Sequence, residues 1–479
     1  MRRLMGSVPM ASALLALFFW AYHLYLVHRL QTTRLRLGVL HERHAVPLYS
    51  NWHWSLSVWL LPALVVLAGV WWACRRLYLG SRPGPAGLLG LSVGLFIVVG
   101  VSVSMIDARR TPDGTLWLPF LSAYGDRALE YWSDVRKVDK WGGPLVFLRR
   151  YSNRGFFDAL SLHSETHPPG AVLFLWFAAR LLGYSLWSAA FATVAFTSLV
   201  VLPVYGLAQR LHGAAVARAA LALFLLTPNV VLFTTTSMDG PFSVFPVTSL
   251  YLFHRATDHR EARPWLHAAL LGCAMAAATL MTYATAVVVV FLAVFAALTF
   301  AARRPCFPRV AKVLALATLV SAALILLLSL ATGFNPVRAL RFSMEHDREM
   351  MGTGHESLER FLELGCVNLF AFLLAVGVPL TAVFGRELLR VVREGRLLEA
   401  GDRHALAFAA TLLIASFSTL FTTETERIWL FLAPSMAALA ARRLLELRQR
   451  DASASAFGWT TGLLAGQIVL FEVALNTRW

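Results

Sequence analysis

The sequence predicts an all-α, polytopic transmembrane protein of about 13 spans. Three observations carry this reading. Hydrophobic residues make up 58% of the 479. Apolar runs of about 20 residues, the length that crosses a bilayer's hydrocarbon core, recur from one end of the chain to the other. Runs such as 284–300 are apolar on every face, whereas a transmembrane β-barrel would alternate in shorter segments.

The formal net charge is +16. Its Lys and Arg residues sit in short clusters beside apolar runs, where they set orientation, and no nucleic-acid partner is expected. Cys74, Cys273, Cys306 and Cys366 are far apart, which indicates neither a zinc site nor a disulfide framework. The run behind Met1-Arg2-Arg3 shows no small-residue cleavage site before Trp20-Ala21-Tyr22-His23, so it reads as a retained first helix.

In chain order, residues 9–28, 55–74 and 86–105 read as the first three spans, and 1–105 as an N-terminal three-span segment. Arg75, Arg76 and Arg82 mark the second turn as cytoplasmic. The third span then delivers 106–170 to the exterior as a long loop bearing juxtamembrane helices. Residues 29–54, with Arg29, Arg34, Arg36 and Arg43, are basic where that topology requires an exterior segment, and read as a helix on the membrane surface.

From 171 to 479 the chain reads as a transmembrane core. Residues 171–183 are short for a crossing; spans are expected at 186–208, 214–233, 239–256, 265–281, 284–302, 311–332, 362–385, 405–421, 428–446 and 455–475. Arg210 with Arg218, Arg255 to Arg263, Arg303 to Lys312, Arg386 to Arg403 and Arg442 to Arg450 make the predicted inner turns basic. A second exterior loop is expected at 333–361. No sequence repeat is visible, and no segment is long enough to form a soluble domain of its own.

Ionisable residues concentrate at one predicted face, in the two exterior loops and in the turns 234–240 and 421–427. Transporters keep polar groups and broken helices near the midplane, whereas an enzyme acting on a lipid-borne substrate needs its site at the interface. The distribution favours the enzyme.

Two stretches are specific. The first exterior loop holds Asp126 ahead of an aromatic-rich segment (Tyr131-Trp132) and ends in His167-Pro168-Pro169-Gly170 at the start of an apolar helix. Near the C-terminus stands Glu426-Arg427-Ile428-Trp429-Leu430-Phe431-Leu432-Ala433-Pro434. Together they resemble the glycosyltransferase C superfamily, in particular its branch of protein O-mannosyltransferases and lipid A aminoarabinose transferase. Members of that branch commonly have one span before the catalytic loop, where this chain has three. The family's acidic pair is broken here as well, since Arg127 follows Asp126, which leaves Asp107 as a competing equivalent.

The resemblance implies an integral membrane glycosyltransferase. It would move a sugar from a polyprenyl-phosphate donor to a glycan, lipid or protein acceptor on the non-cytoplasmic face of the cell membrane, for a bacterium its inner or plasma membrane. Phosphate is already a competent leaving group, so one general base suffices for an inverting single displacement. Asp126 is the first candidate for that base and Asp107 the second. Arg427 is the candidate for the donor phosphate, with an interfacial Arg paired to Glu424 or Glu426 as the plain alternative. His167, Glu165, Glu426 and Asp239 are candidates for substrate contact, and capping explains Asp239 equally well.

No cofactor is implied. His163-Ser164-Glu165-Thr166-His167 admits a divalent metal, but it is not HExxH, and Pro168 biases His167 away from helix. The alternative function is a transporter or flippase of lipid-linked saccharides, and a third is a membrane transferase of an acyl or phospho-alcohol group.

Overall fold

In the computed structural model the described residues are 7–32, 40–80, 83–110, 116–124, 130–352, 357–395, 397–418, 420–451 and 455–477. Among them the fold is helical, with one two-stranded ribbon pairing Arg109 with Trp117 and Arg110 with Leu116. Eight helices among the described residues are long and apolar enough to cross a membrane: Val8–Thr32, Leu60–Tyr78, Pro85–Asp107, Leu186–His212, Pro264–Met281, Thr285–Ala302, Arg304–Thr332 and Ala456–Ala474. A ninth results if Leu358–Ala375 and Val378–Glu394 count as one span, but the chain bends there by 110°. Gly377, at φ +110°, and Pro379 in the first turn of the next helix make that bend possible.

By length and composition this is fewer than the about 13 spans expected from apolar runs. The difference lies largely at the centre of the bundle. The expected span 214–233 breaks between Ala214–Leu225 and Pro228–Phe233, and the span at 428–446 is the helix Ala433–Asp451 behind a separate short turn, Thr425–Ile428. A helix sheathed by protein on all sides needs neither full length nor uniform apolarity. The helices Ala214–Leu225 and Ala433–Asp451 pack together, and Ala217, Ala219, Ala220 and Ala222 of the one and Ala437, Ala438, Ala440 and Ala441 of the other are all buried; small side chains let helices approach closely. Arg304–Thr332, with 11% of its apolar window buried, lies at the rim.

The basic turns gather at one end of the bundle. Arg218 donates to the carbonyls of Leu77 (2.6 Å) and Pro83 (2.8 Å), and Arg210 pairs with Asp258 and Glu261. Arg309 donates to the carbonyl of Ala256, while Arg390 and Arg442 share Asp402. Arg386 reaches the carbonyl of Ser7, placing the start of Val8–Thr32 at this same end.

That first helix runs to the other end, where Arg29 is paired with Glu363 (2.9 Å) and with Glu359. Residues 40–54, expected within a helix on the membrane surface, form turns and isolated bridges instead, and 33–39 lie outside the described residues. Also at this end the long loop folds into short helices, Trp132–Lys140, Pro144–Tyr151, Arg154–Phe157 and Leu162–Thr166, packed on Phe147, Tyr151 and Phe157.

Candidate active site

The long loop is held by its own buried polar groups. The Asp134 carboxylate accepts from both Ser161 N (2.8 Å) and Ser161 Oγ (2.7 Å), with Lys137 beside it. The Tyr151 hydroxyl lies against the carbonyls of His167 (2.8 Å) and Ser164. His167 is extended, as a residue before proline must be, and turns the chain into the helix Gly170–Leu182. A Cβ at Gly170 would overlap the carbonyl oxygen of Leu280, so this position admits only glycine without displacing the backbone of the neighbouring helix. The His-Pro-Pro-Gly stretch is thus an anchor, setting the angle at which the loop meets the bundle.

Three chain segments converge beneath this loop. From the late chain comes Arg427, whose Nη1 lies 3.1 Å from Asp239 Oδ2 while its Nη2 is paired with Glu424. Asp239 opens the helix Asp239–Thr257, but its side chain makes no cap; its Oδ2 accepts from Ser237 Oγ (3.0 Å) and faces Arg427. From the loop come Tyr131, His163 and His167. The Tyr131 ring centroid is 5.6 Å from each imidazole, and His167 stacks on Phe242 at 5.4 Å. Glu130 is 3.9 Å from His163 Nε2.

Burial, with Arg427 nearby, pushes the His163 imidazole down to about 3. Burial likewise pushes His167 down to about 4, against the pull of Asp239. Both rings are therefore neutral at physiological pH. The carbonyl of His163 lies 3.1 Å from His167 Nδ1; if that nitrogen carries the proton, Nε2 is an acceptor. Burial also raises the Tyr131 phenol well above its ordinary range. The cluster offers one guanidinium, three carboxylates and neutral hydrogen-bonding rings, a lining suited to a polyhydroxylated, partly charged substrate.

Glu424 stands in the left-handed region at φ +64°, the one non-glycine among the described residues with positive φ. Such a backbone costs about 1–2 kcal/mol in an L-residue and persists only where its surroundings enforce it. The enforcement is visible next to it. Thr425 Oγ1 donates to the carbonyl of Asn368 (2.7 Å), and Asn229 Nδ2 donates to the carbonyl of Glu426 (3.0 Å).

The other sequence-derived candidates separate. Glu426 turns away from Asp239: its Oε1 accepts from Tyr49 N at 2.7 Å, and burial pushes its carboxyl up to about 7. Glu165 pairs with His346 (3.2 Å) on the helix Pro336–Met351, where burial raises its carboxyl. Glu165 thus turns to His346 while His163 and His167 share Tyr131, and among the described residues no group of three His, Cys, Asp or Glu could hold a metal ion.

Asp107 is buried in the turn Met105–Asp107 at the end of the third helix, under Ser57, whose Oγ donates to the carbonyl of Ile106 at 2.7 Å. Asp126 lies outside the described residues. Tyr131 and Tyr49 carry no spacing signal in the sequence, and Glu424 entered only as a possible partner of Arg427.

A family model described as dolichyl-phosphate-mannose-protein mannosyltransferase matches residues 166–329. No curated protein matches the chain. Among solved structures, the Archaeoglobus fulgidus oligosaccharyltransferase in complex with Zn and sulfate is similar at TM-score 0.51 and 16% identity, over 79% of this chain and 53% of that one. ArnT from Cupriavidus metallidurans bound to undecaprenyl phosphate is similar at TM-score 0.49 and 16% identity, over 79% of this chain and 62% of that one. The chain spans about half the length of the oligosaccharyltransferase it matches. The chain therefore shares its fold with the aligned part of that oligosaccharyltransferase. The family model takes in His167-Pro168-Pro169-Gly170 and agrees with the resemblance of that motif to protein O-mannosyltransferases; Glu426 to Pro434 lies outside it.

Proposed function

We propose that this protein is an integral membrane glycosyltransferase that moves a hexosyl or pentosyl group from a polyprenyl-phosphate donor to an acceptor at the non-cytoplasmic face. The observation that carries the reading is Arg427 held between Asp239 and Glu424 beneath His163, His167 and Tyr131. This cluster stands at the end opposite the basic turns, and those turns belong to the cytoplasmic side. The family match and the fold point the same way.

Arg427 already has carboxylates on both sides, so a donor phosphate takes the place of one of them. Glu424 is the one to yield, because its backbone is strained while Asp239 is fixed at a helix start. The guanidinium fork then stabilises the charge left on the departing polyprenyl phosphate. An aspartate takes the acceptor's proton as the acceptor oxygen or nitrogen attacks the anomeric carbon, and the bond to phosphate oxygen breaks with inversion. Asp126 and Asp107 are the candidates for that base. His167 and Asp239 contact sugar or acceptor hydroxyls.

The lipid tail lies in an apolar groove of about 770 Å³ lined by Phe19, Trp20, Leu374, Pro379, Leu470 and Phe471. Leu48, Phe471 and Leu475 are shared between that groove and a small cavity lined by Glu426, which brings the groove to the segment bearing Arg427.

The test is turnover by purified protein in lipid nanodiscs supplied with labelled polyprenyl-phosphate sugars and a panel of acceptors. Transfer with release of polyprenyl phosphate, lost in either Asp107→Asn or Asp126→Asn by about 10²–10⁴-fold, supports the reading. Movement of the intact lipid-linked sugar across the bilayer without bond cleavage would establish the transporter instead.

A further inference from the structure

We infer that residues 44–57 are a strap built into the active site, and that Glu426 is a positioning residue through which this strap orients Arg427. The inference rests on the functional reading above and assigns a role to the N-terminal region, which lies outside the stretch that the family model matches.

The strap is tied at three places. At its start, the backbone N–H of Tyr49 donates to Glu426 Oε1 at 2.7 Å, and the Tyr49 ring stacks on His44 at 4.9 Å. In its middle it pairs with the last described residues of the chain: Asn476 N donates to the Asn51 carbonyl (2.9 Å), His53 N to that of Ala474 (2.9 Å) and Ser55 N to that of Val473 (2.8 Å). At its end, Ser57 Oγ holds the carbonyl of Ile106, the residue before Asp107. One short segment therefore touches both the helical turn that carries Arg427 and the turn that carries a candidate base. Ala45, Val46, Leu48, Trp52 and Trp54 of the same segment wall the groove assigned to the lipid tail.

Glu426 is suited to transmit this position. It is fully buried, and its Oε2 has no hydrogen-bond partner among the described residues. Burial favours its neutral form, which still accepts the Tyr49 N–H through Oε1. The next residue is Arg427, on a helical turn, Thr425–Ile428, too short to hold itself. Its direction is set by external bonds: beside the pairing of Arg427 with Asp239, these include those of Thr425 to Asn368, of Asn229 to Glu426 and of Tyr49 to Glu426. Removing the last frees the turn on the side facing the strap, and an error of about 1 Å at a catalytic group can cost about 10²-fold in rate.

The experiment compares Glu426→Gln with Glu426→Ala in the full chain. Two readouts are used: hydrogen exchange of peptides covering 424–428 and 44–57, and kcat and KM for transfer from a polyprenyl-phosphate sugar. Glutamine keeps an oxygen acceptor for Tyr49 N–H; alanine does not. We expect Glu426→Ala to speed exchange in both peptides and to lower kcat at least about 10-fold with KM little changed, and Glu426→Gln to recover most of both. Faster exchange together with full activity would overturn the positioning role. A Glu426→Gln protein that exchanges like wild type but is as inactive as Glu426→Ala would make the carboxyl itself a reacting group and also overturn it. Unchanged exchange in Glu426→Ala would overturn the strap contact outright. If wild type transfers no sugar from any donor, the functional reading fails, while the exchange arm still decides whether the strap holds 424–428.

Discussion

Arg427 and Asp239 meet at 3.1 Å across the interior of the bundle, one from a four-residue helical turn near the end of the chain and the other from the first turn of a central helix. Glu424, half-buried, flanks the same guanidinium, so a single cation neutralises two carboxylates, of which Asp239 is buried. Removing that cation leaves the buried Asp239 carboxylate without its partner. We expect Arg427→Ala to lose about 3–5 kcal/mol of stability and to fall at least about 10²-fold in turnover. Arg427→Lys should recover stability more than turnover, because it restores the charge without the fork. Thermal unfolding and transfer rates on the same preparations check both.

Glu424 carries two separable features, its charge and its left-handed backbone. Glu424→Gln removes only the charge, whereas Glu424→Gly removes the charge and the strain. Glu424→Gly should therefore be the more stable of the two by about 1 kcal/mol, read as a higher unfolding midpoint. The reverse order would show that the φ of +64° carries no strain here.

Gly170 sets the crossing of the loop's exit helix over the helix Pro264–Met281. Gly170→Ala puts a methyl group against the Leu280 carbonyl, and the backbone must shift to admit it. The expected loss is about 1–3 kcal/mol, with a fall in activity as His167 moves away from Phe242. Gly155→Ala is the control, since a Cβ there meets only the Asn153 side chain at 3.8 Å.

Acid should weaken the site through its two buried imidazoles. In the unfolded chain a histidine takes up its proton near pH 6.5, while in the fold His163 and His167 are held down to about 3 and about 4. Between those limits the unfolded state binds more protons, so stability is full above about pH 6.5 and is lost as pH falls toward 4. His167→Gln, which stays neutral throughout, should flatten the loss over that window. Chemical denaturation at a series of pH values in detergent checks it, and a slope unchanged in both His163→Gln and His167→Gln would refute the assignment.

Much of the architecture was legible because its causes are local. A bilayer requires long apolar helices wherever the chain faces lipid, so Val8–Thr32, Thr285–Ala302 and Arg304–Thr332 announce themselves by run length. Basic turns such as those of Arg210, Arg218, Arg390 and Arg442 announce the shared end where they gather. At the bundle centre the same rule loses force. Asp239–Thr257 and Ala433–Asp451 are surrounded by other helices, and their polar residues and breaks answer to neighbours remote in sequence.

The site divides along the same line. Run length, charge clusters and two short motifs were enough to establish a polytopic helical membrane protein, a loop of polar chemistry ending at His167-Pro168-Pro169-Gly170, and Arg427 and Asp239 as residues of the right type at turns between spans. Packing alone determined that Asp239 faces Arg427 in place of capping its helix, that Glu424 and not Glu426 completes the pair, and that Tyr131 joins the two histidines. Ion pairs and ring contacts form across helices whose relative rotation and depth are set by packing, and no periodicity within one helix records which residue of another it will meet.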